Sequence, residues 1–334
     1  MWRRSINLGR GFAGRGFAFL ARASSIALAL YCLASCSVGE SDRIAIQASL
    51  ADAATDPLEF YATQSPTTDP GEYAHLLNGV PADPAGIVRA VQNVMVRADE
   101  VESGDYPISH RQAERDYNIP TVRGILARIA TLDDRSLSET REQKDYMVGV
   151  CAQHAMLTTA LFRHHGISAR ARGGFETYFS KTKHHDHWIT EYWDTETARW
   201  VRLDAEIDER ARNRWGIEIN GLDLSEEMFL TGAEAWRLCR FEGKSPEHFG
   251  ISGGEWYGGW DFVINELLLD FNALNKVESL PWDETEQAER GYEKLTGLEL
   301  ALLDRMSEAV VEGDAAFERI RELFKSNPEL RKRR

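Results

Sequence analysis

The chain has 334 residues, 43% hydrophobic and 28% charged, enough for one large domain or two small ones in a globular protein. Its formal net charge of -14 argues against general affinity for nucleic-acid backbones or an anionic membrane surface. There is no tandem repeat and no glycine-rich phosphate loop; GRGFAGRGF near the start is only a short echo.

Arg3, Arg4, Arg10, Arg15 and Arg22 make the amino terminus basic, and the apolar run SSIALALYCLA follows. That run is too short for an ordinary membrane-spanning helix. It ends in Leu33-Ala34-Ser35-Cys36, which resembles the lipobox of bacterial lipoprotein signal peptides. The resemblance implies a signal peptide over 1–35, cleavage before Cys36 and lipidation of Cys36. The implied location is the bacterial cell envelope, lipid-anchored. Ser37 stands where an inner-membrane retention signal has aspartate, so the expected side is the periplasmic face of the outer membrane. Several acyl chains would anchor stably at ~0.8 kcal/mol per buried methylene.

Residues 36–57 are small and polar and read as a flexible tether. Helical spacing appears from Ile87 in IVRAVQNVMV and from Thr121 to Leu132, where Pro120 suits a helix start. Between them, SGDYPISHRQAERDY reads as a loop that turns helical. Residues 151–165 read as a helix stopped by Gly166. ISARARGGFETYF reads as a strand in which Gly173-Gly174 permits a bend or a close backbone approach. HWITEYWD and RWVRLDAEI alternate as two strands separated by DTETA. Helical patterns return in AEAWRLCRF, VINELLLDFNAL and LTGLELALLDRMSEAVVEG. The predicted organisation is one α+β domain over 58–285, with helices flanking a small antiparallel sheet, and a C-terminal helical extension over 286–334.

The chemistry concentrates on three residues. Cys151 opens the helix in VGVCAQHAMLTTALFRHHGI, where the dipole and unpaired amides of a helix start favour a thiolate. His187 begins the strand HWITEYW and can move the proton of acyl transfer. Asp204 ends the neighbouring strand and can orient the imidazole. A short hairpin brings His187 and Asp204 together, and the Cys151 amide could face an oxyanion.

These segments resemble the transglutaminase-like superfamily, whose papain-like core uses Cys, His and Asp. The matching positions are Cys151 in GVCAQHAMLTTALFRHHGISAR, His187 in HWITE and Asp204 in RWVRLD. The resemblance implies Cys151 as nucleophile, His187 as general base and then acid, and Asp204 as its orienter. Its core spans about 145–208, and a broader likeness to bacterial transglutaminase-like proteins runs over about 60–285. One position departs: Trp188 follows His187 directly, where the common pattern has one residue between them.

Residues expected around a cleft are Gln153, His154, Arg170, Arg172, Tyr178, Trp188, Trp256, Tyr257 and Trp260. Arg170 and Arg172 could steer an acidic substrate, although intramolecular salt bridges suit an acidic protein better. Trp256, Tyr257 and Trp260, in GGEWYGGWDF, could rim a cleft or pack a core. The run His184-His185-Asp186-His187 does not converge on one ion from an extended strand, so no metal is expected. No organic cofactor is implied, and no acidic calcium loop is present. The expected activity is thiol-dependent acyl transfer on peptide-like amides, with a peptide or protein amide substrate, possibly an amine acceptor, and no nucleic acid. The alternative is a non-catalytic envelope lipoprotein that binds a peptide, glycan or protein.

Overall fold

Short polar residues start the first helices. α1 (Pro57–Tyr61) and α2 (Pro84–Gln92) each carry proline in the first turn, with Asp56 and Asp83 accepting first-turn amides. The computed structural model describes residues 56–104, 106–180, 182–252 and 255–330. The expected signal peptide, the expected lipidation site Cys36 and all but the end of the expected tether lie outside them.

The helix expected to run from Ile87 through Val96 ends at Gln92, and Met95–Arg97 form a strand, β1. After α3 (Ala98–Glu102), α4 (His110–Asp116) and α5 (Val122–Leu132) comes β2 (Met147–Gly149), which pairs parallel to β1. Local periodicity could not register this pairing, because its partner is distant in sequence. The pairing sets Arg97 opposite Gly149, just ahead of Cys151. Thr121 caps α5 through the Gly124 amide at 3.2 Å, so the helix starts just past Pro120.

α6 (Cys151–His164) follows β2 after a single residue. Gly166, at φ +72°, ends it, and the Ile167 amide donates back to the Phe162 carbonyl at 3.0 Å. The central strands are β3 (Ala169–Glu176), β4 (His184–Asp194) and β5 (Arg199–Leu203). β3 and β5 both pair antiparallel to β4, and the β4–β5 hairpin turns where DTETA predicts. β6 (Phe229–Thr231), β7 (Phe249–Ser252) and β8 (Trp256–Gly258) complete a sheet in the order β6-β3-β4-β7-β8, with β5 also on β4. The β4–β7 pairing is parallel, so the sheet is mixed rather than wholly antiparallel. The chain returns to β4 only after crossing through α8 (Gly232–Phe241), which follows α7 (Glu209–Trp215). The architecture is α+β, helices packed on small sheets, consistent with a papain-like or transglutaminase-like core.

Of the two uses the sequence leaves open for Gly173-Gly174, the bend is absent, since both lie within the continuous strand β3. They serve close approach instead. A Cβ on Gly174 would meet the Leu230 carbonyl oxygen of β6 at 2.1 Å, and one on Gly173 would meet the Glu266 carboxylate at 2.8 Å. Gly174→Ala is therefore expected to push β6 off β3 and cost about 1–3 kcal/mol. Denaturant midpoints of the two proteins check this.

α6 packs across β3 and β4. Phe162 stacks on Tyr192 with centroids 4.7 Å apart, and the Thr190 hydroxyl donates to the Ala155 carbonyl at 3.1 Å. α9 (Trp260–Leu274) runs against β3, where Asp270 accepts the Gly173 amide at 3.1 Å. After α10 (Glu286–Arg290), α11 (Gly297–Glu312) and α12 (Phe317–Ser326) add Leu303, Met306, Phe317 and Ile320 to a second apolar core with Trp236 and Leu267.

Buried charges tie these layers together. Arg172 makes a two-point contact with Asp270, at 2.8 and 2.9 Å, and reaches Glu191 at 2.7 Å. Arg170 also donates to Glu191 at 2.7 Å, and Arg202 does so at 3.3 Å. Burial works to raise the Glu191 carboxyl, but these three guanidiniums hold it far below the usual range. Arg172→Ala leaves two buried carboxylates short of a partner. Its expected cost is about 3–5 kcal/mol, read from equilibrium unfolding.

Candidate active site

The site forms in a gap of the sheet. β3 pairs one edge of β4; on the other edge β5 takes Thr190–Asp194 and β7 takes His184–His185. His187 lies on the stretch between them. Asp204, the first residue past β5, falls beside the same gap.

His187 Nε2 donates to Asp204 Oδ2 at 2.9 Å, with both side chains buried. The Tyr178 hydroxyl donates to the same oxygen at 2.5 Å, and the Glu206 amide donates to Asp204 Oδ1 at 2.9 Å. Asp204 is thereby fixed from three directions. With Nε2 engaged, Nδ1 is the ring nitrogen left free, and the Cys151 thiol interacts electrostatically with the His187 ring.

Cys151 is partly buried at the first position of α6. Val150 precedes it and offers no side-chain cap, so the opening amides have no side-chain partner there. Gln153 instead turns back: its Oε1 accepts the Val150 amide at 3.1 Å, and its Nε2 donates to the Asp116 and Ile119 carbonyls at 3.0 and 2.9 Å. Gln153 is a buried staple of this turn, not a cleft residue.

Burial pushes the Cys151 thiol up; the electrostatic influence of His187 pulls it down without fully offsetting burial. For His187, burial disfavours the charged ring. The charge and hydrogen bond of Asp204 outweigh that and hold it well above the ordinary imidazole value. The arrangement favours an imidazolium at His187. Cys239, the other free cysteine among the described residues, is buried and its thiol is pushed up to about 12.

Several expected cleft residues lie elsewhere. Arg170 and Arg172 are buried in the ion-pair network described above, and Trp188 is in the core. Trp260 stacks on Tyr292 with centroids 4.1 Å apart. In each case charge neutralisation or apolar packing takes the side chain inward. His154 is buried, with Nδ1 at 3.0 Å from Glu206 and 3.1 Å from the Val150 carbonyl. Tyr178 does reach the site. Its ring and that of Phe179 lie 6.2 and 6.3 Å from the His187 ring. Trp256 packs against His185 at 5.2 Å, and Tyr257 is exposed.

Sequence reasoning missed Glu206, Arg97 and Trp215. Glu206 accepts from Arg97 Nη1 at 2.9 Å, and Arg97 also lies over the Trp215 ring at 4.2 Å. Glu206 could have been suspected from its place two residues after Asp204. Arg97 carried no local signal, because β1 brings it there.

The donor atoms of His187, Asp204 and Glu206 lie within 4.8 Å of one another, a spacing that could hold a metal ion. Cys151 is not in this group; it couples to His187 electrostatically. The donors are already committed, however: His187 Nε2 to Asp204, and the two Glu206 oxygens to His154 and Arg97. The Arg97 charge further opposes a cation. His185 bonds Glu176 and His184 packs on Phe249, so the histidine run does not converge.

The fold and this site define a mixed α+β protein with a papain-like core. Residues 125–205 match the family model of the transglutaminase-like superfamily, a stretch that includes Cys151, His187 and Asp204. That match covers residues 125–205 and marks what this stretch of the chain is similar to. Among solved structures, a candidate cysteine protease from Cytophaga hutchinsonii is similar at 20% identity and a TM-score of 0.16, over 38% of this chain and 43% of that one. This chain thus spans less than half the length of that protein. No curated protein matches significantly.

Proposed function

We propose that the protein is a thiol-dependent acyltransferase acting on peptide-like amides. Cys151 attacks the carbonyl carbon as its proton passes to His187. The C–N bond then breaks, and His187 returns that proton to the leaving amine. The product is an acyl-thioester on Cys151. Water, deprotonated by His187, attacks it and releases an acid and the free thiol; an amine in place of water gives a transferred amide. We favour hydrolysis, because a water-accessible site needs no dedicated amine pocket. Asp204 holds the ring, and the Cys151 amide is the oxyanion donor. The reading includes lipid anchoring at Cys36 in the cell envelope.

The observation that carries this proposal is the His187–Asp204 hydrogen bond, with Cys151 at a helix start and electrostatically coupled to the same ring. A test is incubation with p-nitrophenyl acetate followed by peptide mass mapping. The expected result is acetylation of Cys151, removed by water and faster by added hydroxylamine. Acetylation elsewhere with Cys151 untouched contradicts the proposal.

A further inference from the structure

A cavity of about 440 Å³ opens beside the candidate site. It shares His154, Ala205 and Glu206 with the surroundings of Asp204, and its wall continues through Glu100, Tyr106 and Tyr146. Its volume falls within the usual range for small-ligand pockets.

The charges of the cavity are unevenly satisfied. Glu206 is neutralised by Arg97 and His154, and Arg97 is also held by Asp99 at 2.9 Å. Asp208 spends one oxygen capping α7 through the Ala211 amide at 2.7 Å. Glu100 is different. It is only 5% exposed and lines the cavity, yet among the described residues no hydrogen bond or ion pair engages its carboxylate. A carboxylate with no protein hydrogen bond on a cavity wall is open to a ligand cation. Burial and the nearby Asp208 charge push its carboxyl up, the Arg97 and Arg210 charges draw it down without offsetting them, and a bound cation would draw it down further. Arg210 is exposed on the rim and lies 4.9 Å from the Tyr106 ring centre, so this aromatic face already accepts a cation.

We propose that this cavity is a specificity subsite for a cationic side chain of the substrate, an ammonium group seated between the Glu100 carboxylate and the Tyr106 and Tyr146 rings. The peptide character of that substrate rests on the function proposed above. An ammonium paired with Glu100 stays protonated and is not a nucleophile. The subsite selects and positions the substrate and does not take part in the transfer.

The test uses calorimetric titration of the full chain carrying Cys151→Ala, so that binding is read without turnover. The probes are two blocked tripeptides, acetyl-Gly-Lys-Gly-amide and its norleucine analogue, which keeps the aliphatic chain and lacks the charge. The lysine peptide is expected to bind at least about tenfold more tightly, a difference typical of one charge-assisted contact. Adding Glu100→Gln is expected to remove that preference while leaving norleucine binding unchanged. Asp208→Asn should reduce the preference less. A thermal melt no lower than that of the parent shows that Glu100→Gln folds. Equal affinities, no binding of either peptide, or a lysine preference that survives Glu100→Gln overturns the subsite. Acetylation of Cys151 is a separate readout: its loss with lysine selectivity intact sinks the acyl-transfer reading and leaves the cation site standing.

Discussion

Replacing Cys151 with alanine is expected to abolish acyl-enzyme formation and lower turnover by about 10⁴-fold or more, while the protein remains folded. The size of the effect follows from the division of labour at the site. His187 and Asp204 have no nucleophile of their own to offer once the sulfur is gone. Water must then attack without a covalent intermediate, and the remaining donors can stabilise only part of the developing charge. The folding cost should be small, on the order of 1 kcal/mol, because the side chain is small and only partly buried. Turnover of an activated acyl ester, read beside a thermal melt, separates the two effects. Normal turnover in a folded Cys151→Ala protein would remove Cys151 from the mechanism.

Asp204→Asn carries the second large effect, a loss of about 10³–10⁴ in turnover. Asp204 Oδ2 accepts from both the His187 ring and the Tyr178 hydroxyl, while Oδ1 accepts the Glu206 amide. An asparagine can keep the Glu206 contact only by turning its NH2 toward the other two donors. The ring then loses the acceptor that fixes Nε2–H and leaves Nδ1 free. The charge is lost as well. Asp204 holds His187 well above its ordinary value against the opposing effect of burial. Without Asp204, the imidazolium gives up its proton at lower pH. The basic limb of the pH–rate profile should therefore move down, a shift that belongs to the Cys151–His187 pair as a unit. A profile that keeps both its height and its basic limb would show that Asp204 does not act on His187.

Local signals revealed much of this site. Cys151 is followed by a helical pattern, and His187 and Asp204 sit on alternating strands joined by a short turn. The structure has the helix start and the hairpin where those patterns put them. What stayed hidden depends on pairing between distant segments. β1 looked helical because its apolar residues continue the spacing of α2, and only β2 makes it a strand. Arg97 and the unpaired Glu100 enter the site region through that pairing and the helix after it. The ends of Arg170 and Arg172 were equally hidden, because Asp270 comes from a helix far along the chain. The glycine pair left a bend and a close approach both open, because sequence shows conformational freedom and only the backbone of β6 lying against it selects between them.

The central claim is that Cys151 and His187 work as one pair, and the pH dependence of Cys151 alkylation tests it most directly. Iodoacetamide labelling, resolved by peptide mass spectrometry, would compare the native chain with His187→Gln, which removes the titrating ring and keeps much of its bulk. Cys239 serves as an internal control, since its buried thiol should stay unlabelled near neutral pH. His187 lowers the Cys151 thiol electrostatically, so the variant should label at least about tenfold more slowly near pH 7, with its midpoint moved to higher pH. Identical profiles in the two proteins would contradict the pairing and leave Cys151 an ordinary, partly buried thiol.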